Sequence, residues 1–208
     1  MHLAVIVLAA GKGTRMKSEV PKVLHAESGR SLLEWALANA DPLDADETVV
    51  VVGHGADDVV ARLPEGAAGV VQEPQLGTGD AARVGFKACS SNVDTVLVIL
   101  GDMPLLRPTT LEAVLDTHRT ERAAVTMLTS VFEDPAGYGR VVRENGQVVG
   151  IVEERDADEE QRAIKEMNVS VYAVSYTHLT LPTMILRCSG RWGGGGGRGG
   201  GGGGGGGG

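Results

Sequence analysis

Four short apolar runs constrain the fold of this chain more than any other feature. Each run is continuous rather than alternating, which is typical of strands that are covered on both faces. The runs are residues 3–8, 48–52, 69–71 and 95–100. Strands of this kind belong to parallel sheets, whose connections need crossover helices. The runs therefore predict an α/β domain built on a largely parallel sheet.

Helical patterns lie between these runs and have recognisable starts. Residues 31–34 and 109–112 have the spacing of a capping box, and Thr78 is a candidate cap for a helix that runs to about Ala88. A further strand is predicted at residues 124–130. We therefore expect a doubly wound, Rossmann-like fold.

The Asn145-Gly146 dipeptide predicts an antiparallel addition to this sheet. It lies between the apolar segments 141–143 and 148–153, and Asn-Gly favours a tight hairpin turn. The sheet is therefore expected to be mixed rather than purely parallel.

Residues 174–208 differ sharply in composition from the rest of the chain. Sixteen of the 31 glycines lie at or after Gly190, and such a segment cannot offset its chain entropy by burial. Residues 174–183 back-translate to a transposon-derived sequencing adapter. We therefore expect one domain over residues 1–173, incomplete at its C-terminal end, followed by a non-native, disordered adapter-like and poly-glycine tail. A genuine glycine-rich linker is the alternative.

The charge balance argues against nucleic acid as a partner. The net charge is −8 for the whole chain, and because residues 174–208 hold three arginines and no acid it becomes −11 for residues 1–173. An acidic domain offers no basic face to a phosphate backbone. Cys89 is the one cysteine before residue 174, which excludes a disulfide framework there. The apolar run 3–10 is too short to span a membrane, so a cytoplasmic protein is expected.

The first strand ends in a loop suited to phosphates. In a doubly wound sheet, ligands bind beyond the carboxyl ends of the strands. Small residues at this end let the backbone approach a base and a triphosphate, and Arg15 adds a planar cation. The spacing is neither G-x-G-x-x-G nor a Walker loop, and an ordinary glycine-rich turn remains open. The candidate nucleotide-binding residues here are Leu8, Ala9, Ala10 and Gly11.

A second segment strengthens the nucleotide interpretation. Pro21 sets the direction of the chain, and Lys22 can reach back to the same anionic site, although a surface lysine is the simpler alternative. Residues 8–16 and 21–25 together resemble the signature of sugar-1-phosphate nucleotidyltransferases, and more narrowly the uridylyltransferase domain of the bifunctional GlmU family. The resemblance implies a sheet of the nucleotide-diphospho-sugar transferase type. It also implies that Lys22 binds the nucleotide, and that Arg15 and Lys22 are catalytic.

The resemblance continues through residues 72–79. In the family, the matching glutamine and Gly-Thr pair bind the uracil, which implies that role for Gln72, Gly77 and Thr78. An amide side chain and the backbone at a helix start can match the polar edge of a pyrimidine. A capping threonine without a ligand is the alternative for Thr78.

Metal and sugar ligands follow from the same resemblance. Asp102 comes directly after the most hydrophobic strand, where a carboxylate beside a triphosphate suits Mg²⁺, and the family assigns the matching aspartate to the metal. A turn aspartate is the alternative. Gly139, Glu153 and Asn168 are implied to bind the N-acetylglucosamine moiety. The alternatives are that Gly139 is a hairpin glycine, Glu153 a surface glutamate at a strand end and Asn168 a turn asparagine.

The implied reaction joins UTP and N-acetylglucosamine 1-phosphate into UDP-N-acetylglucosamine and pyrophosphate. Two departures from the family stand out. Val169-Ser170 replaces the usual Thr-Gly, and the second Mg²⁺ ligand, an asparagine, and the acetyltransferase β-helix fall beyond residue 173. We therefore expect an impaired fragment, whose parent is a homo-oligomer through a missing C-terminal domain.

Three other functions remain open. Another sugar-phosphate or MobA-like NTP transferase, for glucose 1-phosphate or methylerythritol phosphate, would share the first loop but depart from residues 21–25 and 138–140. A nucleotide-binding fragment or regulatory domain would bind UTP without releasing pyrophosphate. A dinucleotide-dependent oxidoreductase fits least, because the loop spacing and a downstream ribose-binding acid are missing.

Overall fold

The computed structural model describes residues 2–11, 13, 16, 18 and 20–176. Arg15 and the predicted tail beyond Tyr176 lie outside the described residues. The described strands are β1 (Leu3–Ala9), β2 (Ala26–Glu27), β3 (Arg30–Ser31), β4 (Glu47–Val52), β5 (Ala67–Val71), β6 (Thr95–Leu100), β7 (Val125–Val131), β8 (Arg140–Glu144), β9 (Gln147–Val152) and β10 (Glu166–Ser175). The described helices are α1 (Leu32–Ala40), α2 (Ala56–Val60), α3 (Thr78–Ala88), α4 (Pro108–Glu121) and α5 (Glu159–Arg162).

The four apolar runs form the parallel half of one sheet, as predicted. Its strand order is β5-β4-β1-β6-β10-β8-β9, and β7 pairs with β10. The first four strands are mutually parallel, whereas β10 runs antiparallel to β6, β7 and β8. The expected mixed α/β fold is therefore confirmed. Among the residues described, no helix combines the length and apolar character needed to cross a membrane.

Helices cover both faces of this sheet, and β1 is therefore buried on both sides. One face of β1 packs with α1 and α4 through Leu33 and Leu111. The other face packs with α3 through Ala81 and Phe86. A Cβ on Gly85 of α3 would lie 2.6 Å from Ile6 Cγ2, so the absence of a side chain there lets the helix approach the sheet closely.

The predicted start of α1 is confirmed and that of α4 is wrong. Ser31 caps α1, with its side chain accepting from the Glu34 N–H and the Glu34 carboxylate accepting from the Ser31 N–H. Helix α4 begins at Pro108, and its N-cap residue Arg107 makes no side-chain cap bond. Proline suits the first helical position because its φ is already helical, which places Thr109 inside the first turn.

The predicted cap of α3 is also wrong, although the helix ends at Ala88 as expected. Thr78 is the first helical residue, and the N-cap is Gly77 with φ 108° and ψ −179°. That conformation is open to glycine and unfavourable for residues with a Cβ. Threonine therefore could not replace glycine at the cap without strain.

The predicted hairpin is formed by β8 and β9. Asn145 and Gly146 both have positive φ, at 50° and 81°, as the two central residues of a type I′ turn require. The hairpin extends the sheet beyond β10 and carries Gly139 and Glu153 just outside its open end.

Strand β10 runs two residues past the predicted domain boundary at residue 173. Val174 is buried and pairs with Val96, and Ser175 pairs with Thr95. Within the described residues, β10 therefore extends to Ser175.

A buried histidine joins α4 to the last strand. His118 Nδ1 lies 3.0 Å from Thr126 Oγ1, and His118 Nε2 lies 3.0 Å from Ser175 Oγ. Ser175 Oγ donates to the carbonyl oxygen of Ala123, so it accepts from Nε2–H and leaves Nδ1 to accept from Thr126. Thr126 Oγ1 donates to Nδ1 while the imidazole is neutral, and burial favours that form by lowering the pKa of His118 below its ordinary value of 6.5.

Because of His118, the free energy of unfolding should fall in mild acid. The unfolded chain binds a proton near pH 6.5, whereas the folded chain binds it at lower pH. The contribution of neutral His118 to the unfolding free energy is therefore fully present above pH 6.5 and is lost as the pH falls through the folded pKa. The loss is about 1.4 kcal/mol for each unit by which the folded pKa lies below the unfolded one. Urea unfolding between pH 7.5 and 5.5 should show a shallower pH slope for His118→Gln than for the wild type. His54→Gln, at an exposed site, should keep the wild-type slope. Equal slopes in all three proteins would contradict the assignment.

Candidate functional site

A cleft of about 600 Å³ opens where the parallel strands end. It gathers residues from the ends of β1, β5 and β6 and from the start of α3, as expected for a doubly wound sheet. Nine predicted site residues line it: Leu8, Ala9, Ala10, Gly11, Lys22, Gln72, Gly77, Thr78 and Asp102. Six further residues line it that the sequence patterns did not indicate: Gly13, Met16, Val23, Gln75, Ala81 and Leu100.

The end of β1 is hydrogen-bonded to the segment that follows β6. The Gly101 N–H donates to the Leu8 carbonyl at 2.9 Å, which continues the β1–β6 pairing beyond the strands. Gly13 has a φ of 58°, and a Cβ there would lie 2.7 Å from Lys22 Cβ. The loop therefore passes directly against the lysine segment because Gly13 has no side chain. Arg15 lies between Gly13 and Lys22 in the chain and is outside the described residues.

Lys22 and Asp102 form an ion pair across the floor of the cleft. Lys22 Nζ donates to Asp102 Oδ2 at 2.5 Å, with the side chains 42% and 27% exposed. Lys22 starts a short 3-10 turn whose Val23 and Leu24 are buried, whereas Asp102 follows β6. Because Val23 and Leu24 are buried, the backbone at Lys22 is held in place. The end of β6 sets the position of the Asp102 carboxylate.

Asp102 is a reasonable partner for a divalent cation that brings other ligands with it. In the described part of the chain, no cluster of three or more His, Cys, Asp or Glu could hold a metal. Mg²⁺ is often held by one or two carboxylates together with substrate phosphates and water. One carboxylate beside a lysine fits that mode, because triphosphate oxygens can take over the contact with Lys22.

Two glycines after β4 support the cleft from behind. A Cβ on Gly55, whose φ is 66°, would lie 2.4 Å from Pro21 Cγ, and a Cβ on Gly53 would lie 2.8 Å from the Ala10 carbonyl oxygen. Both contacts therefore depend on missing side chains. These two glycines were not among the predicted site residues, although a Gly-His-Gly segment directly after an apolar run is a signal for such a close approach.

The predicted base-binding residues meet at the start of α3. Gln72 is 3% exposed, and its Nε2 donates to the Gly77 carbonyl at 3.0 Å and to Asp80 Oδ2 at 2.9 Å. The first N–H groups of a helix have no partner within the helix, and those of α3 begin at Thr78 beside the cleft. Asp80 was not selected from the sequence, because its role depends on the position of Gln72.

The three predicted sugar-binding residues lie side by side, outside the cleft lining. The Asn168 N–H donates to the Gly139 carbonyl at 2.8 Å, and a Cβ on Gly139 would lie 3.5 Å from Glu153 Oε1. Because β10 is antiparallel to β6, its Asn168 half lies toward the end of β6 that leads to Asp102. The sugar residues and the cleft therefore share one edge of the sheet.

The departure from the family at Val169-Ser170 places a serine at a left-handed backbone position. Ser170 has a φ of 63°, a left-handed conformation that suits the glycine usual in the family and disfavours serine. The Ser170 N–H donates to Asn168 Oδ1 at 2.9 Å. This bond stabilises the turn and orients the Asn168 carboxamide.

A buried arginine fixes the approach to the sugar residues. Arg140 is 2% exposed, and it donates to the Tyr138 carbonyl and, at 2.6 Å, to Glu154 Oε2. Glu154 also accepts from the Gly137 N–H. The hydrogen bond from Arg140 lowers the pKa of Glu154, which keeps the carboxylate charged. The pair joins the two segments that carry Gly139 and Glu153.

A glycine substitution tests whether the support behind the cleft matters for binding. Gly55→Ala and Gly66→Ala both place alanine at positive φ, at 66° and 89°, but a Cβ at Gly66 meets nothing within 4 Å. Each should lose roughly 1 kcal/mol of unfolding free energy from backbone strain, and Gly55→Ala should lose more because its Cβ displaces Pro21. Gly55→Ala alone should weaken nucleoside triphosphate binding about tenfold, because it displaces Lys22 from the phosphates. Calorimetric titration with UTP measures this difference. Equal affinities in the two variants would show that the Pro21 contact does not position the site.

Comparison with known proteins agrees with the geometry of the cleft. The family model described as "MobA-like NTP transferase domain" matches residues 5–169. Bifunctional protein GlmU of Streptomyces coelicolor is 52% identical over 176 residues, which are 82% of this chain and 36% of that protein. Bifunctional protein GlmU of Syntrophotalea carbinolica is 48% identical over 173 residues, 83% of this chain and 37% of that protein. The chain thus spans less than two-fifths of these relatives.

Solved structures share the fold. UDP-glucose pyrophosphorylase complexed with UDP-glucose superposes with a TM-score of 0.70 at 16% identity, covering 84% of this chain and 76% of that one. The predicted nucleotide-diphospho-sugar transferase fold and the predicted resemblance to GlmU are both confirmed. The extent of the family match, together with a cleft at the ends of the parallel strands, shows that this chain belongs to the MobA-like NTP transferase family and is a homologue of GlmU.

Proposed function

We propose that this chain transfers UMP from UTP to N-acetylglucosamine 1-phosphate, giving UDP-N-acetylglucosamine and pyrophosphate. Membership of a nucleotidyltransferase family with GlmU relatives supports a sugar-phosphate nucleotidyltransferase. The observation that carries the proposal is the single sheet edge along which the Lys22–Asp102 pair and the sugar residues Gly139, Glu153 and Asn168 lie. Two substrates bound along one edge can react without any large movement of the domain.

The nucleotide end of the site is the cleft itself. Its volume of about 600 Å³ is within the range of ordinary small-molecule sites. The base is placed against Gln72 and the start of α3, and the triphosphate lies along the backbone after β1. Glycine and alanine at that strand end leave room for phosphate oxygens near backbone N–H groups.

The sugar end presents complementary polar groups. The Glu153 carboxylate accepts hydrogen bonds from hydroxyl groups, whereas the Asn168 carboxamide can also donate to a carbonyl. Gly139 lies between them, and because it has no side chain it packs closely against Ile151 and Glu153. An acetamido sugar ring offers both hydroxyl donors and a carbonyl acceptor, so these residues fit it better than an apolar ring.

The reaction needs positioning and charge stabilisation rather than a protein nucleophile. The sugar phosphate oxygen attacks the α-phosphorus in line, and pyrophosphate leaves. Lys22 is proposed to release Asp102 and to neutralise negative charge that develops on the triphosphate. Arg15 is proposed to share this role. Mg²⁺, held through Asp102, would neutralise phosphate charge when bound.

The activity and assembly of the full-length protein are also proposals. Since the chain covers 36–37% of the two GlmU relatives, we propose that it turns over poorly by itself. We further propose that the whole protein is a cytoplasmic homo-oligomer, joined through a domain that follows this one. A purified 208-residue chain that turned over at about 10 per second, a typical enzyme rate, would contradict the proposed impairment.

Substitution of Lys22 tests the proposed function directly. Pyrophosphate release is measured with UTP, Mg²⁺ and either N-acetylglucosamine 1-phosphate or glucose 1-phosphate, in a chain extended with the C-terminal portion of a GlmU relative. N-Acetylglucosamine 1-phosphate should be preferred. Lys22→Ala should lower turnover by about 10² to 10³, the usual cost of losing one group that stabilises transition-state charge.

A matched lysine controls for the loss of charge alone. Lys87 is exposed in the last turn of α3, so Lys87→Ala should retain wild-type turnover. Near-normal pyrophosphate release by Lys22→Ala would refute the catalytic role. A preference for glucose 1-phosphate would instead refute the proposed sugar specificity.

A further inference from the structure

The Gln72 amide has both of its hydrogens committed inside the protein. Its Nε2 donates to the Gly77 carbonyl and to Asp80 Oδ2, at 3.0 and 2.9 Å, and a primary amide nitrogen has two hydrogens to give. The side chain is buried at 3% exposure yet lines the cleft. The atom that this side chain has left for a ligand is therefore its Oε1, which can only accept.

The orientation of this amide follows from the chemistry of its neighbours. Oxygen and nitrogen of an amide are distinguished by their hydrogen-bond partners, and here both partners are acceptors. A carbonyl oxygen never donates, and a carboxylate is an acceptor as long as it is ionised. Hydrogen bonds from Gln72 and Arg83 lower the pKa of Asp80, which keeps it ionised at neutral pH. A rotation of the amide by 180° would set three oxygens against one another.

We propose that Asp80 is a specificity-determining residue, whose carboxylate fixes the Gln72 amide so that the cleft presents a hydrogen-bond acceptor to the ring nitrogen N3 of the base. The inference rests on the proposed function and deepens it, because it names the feature that separates UTP from CTP. Asp80 acts through Gln72 and is a positioning residue rather than a catalytic one.

The two pyrimidines differ at the atom that Gln72 faces. Uracil carries an N3–H that donates to Gln72 Oε1, whereas cytosine N3 carries a lone pair and would face that oxygen without a hydrogen between them. The unpaired N–H groups at the start of α3 begin at Thr78 and can donate to the adjacent uracil O4. Cytosine has an amino group there, which would oppose those donors. A buried acceptor without a donor costs about 1–3 kcal/mol, enough to separate the nucleotides.

Asp80→Asn is the informative substitution because of Arg83. Arg83 Nη2 donates to Asp80 Oδ1, and arginine can only donate. In the variant, Arg83 should hold the single oxygen of the new amide, which turns its NH₂ group toward Gln72. Gln72 Nε2 then keeps the Gly77 carbonyl as its one acceptor, so the amide is no longer fixed and can rotate to direct its oxygen at residue 80 and present hydrogens to the base.

The experiment is calorimetric titration of UTP and CTP into the 208-residue chain. The wild type should bind UTP more tightly than CTP, and Asp80→Asn should lower the ratio of the two affinities by about tenfold or more. A merely structural substitution would weaken both nucleotides alike and leave the ratio unchanged. Thermal unfolding of each variant confirms that it is folded, and Asp80→Ser, whose hydroxyl can donate or accept, replaces Asp80→Asn if the latter does not fold.

Arg83→Ala is the matched control. It removes the other partner of Asp80 but leaves an acceptor-only carboxylate beside Gln72, so the preference for UTP should persist. An unchanged UTP-to-CTP ratio in the Asp80 variants would overturn the inference, as would a wild type that binds both nucleotides equally. A UTP preference that depends on Asp80, in a protein that releases no pyrophosphate with any sugar phosphate, would uphold the inference and overturn the proposed transferase function.

Discussion

The rest of the structure depends on the burial of β1 between two layers of helices. All seven residues of this strand are buried, and it pairs in parallel with β4 on one side and β6 on the other. Side chains alternate between the two faces, so a shift of one residue would exchange the two packed surfaces. The position of its carboxyl end is consequently set by the core, and the cleft residues inherit that position.

Close approach, rather than a large number of polar contacts, shapes the cleft. Gly13, Gly53 and Gly55 each lie where a Cβ would come within 3 Å of Lys22, Gln75 or Pro21. The glycines bring the phosphate loop, the lysine turn and the end of β4 together without intervening side chains. A rigid, closely packed frame of this kind lets a few polar groups act at defined positions. The buried Arg140–Glu154 pair has the same role for the sugar residues.

Much of the fold was predictable because its signals are local. Continuous apolar runs predicted the parallel strands, and Ser31 with Glu34 predicted the first long helix. Asn145-Gly146 predicted the hairpin because two residues must adopt positive φ. The starts of α3 and α4 were predicted less well, since Thr78 and Thr109 have the right side chains for caps. Backbone conformation decided otherwise, through glycine at one N-cap and proline at the first position of the other helix.

The sequence by itself determined the family, the order of the elements and the residue types that a nucleotide site requires, because these depend on composition and spacing along the chain. Tertiary structure decided which of those residues meet. Lys22 and Asp102 are 80 positions apart, and only the parallel pairing of β1 with β6 brings them to one edge. The orientation of Gln72 is likewise set by Asp80 and Gly77 after α3 has packed. Hydrogen-bond direction depends on three-dimensional neighbours, and no spacing along the chain specifies it.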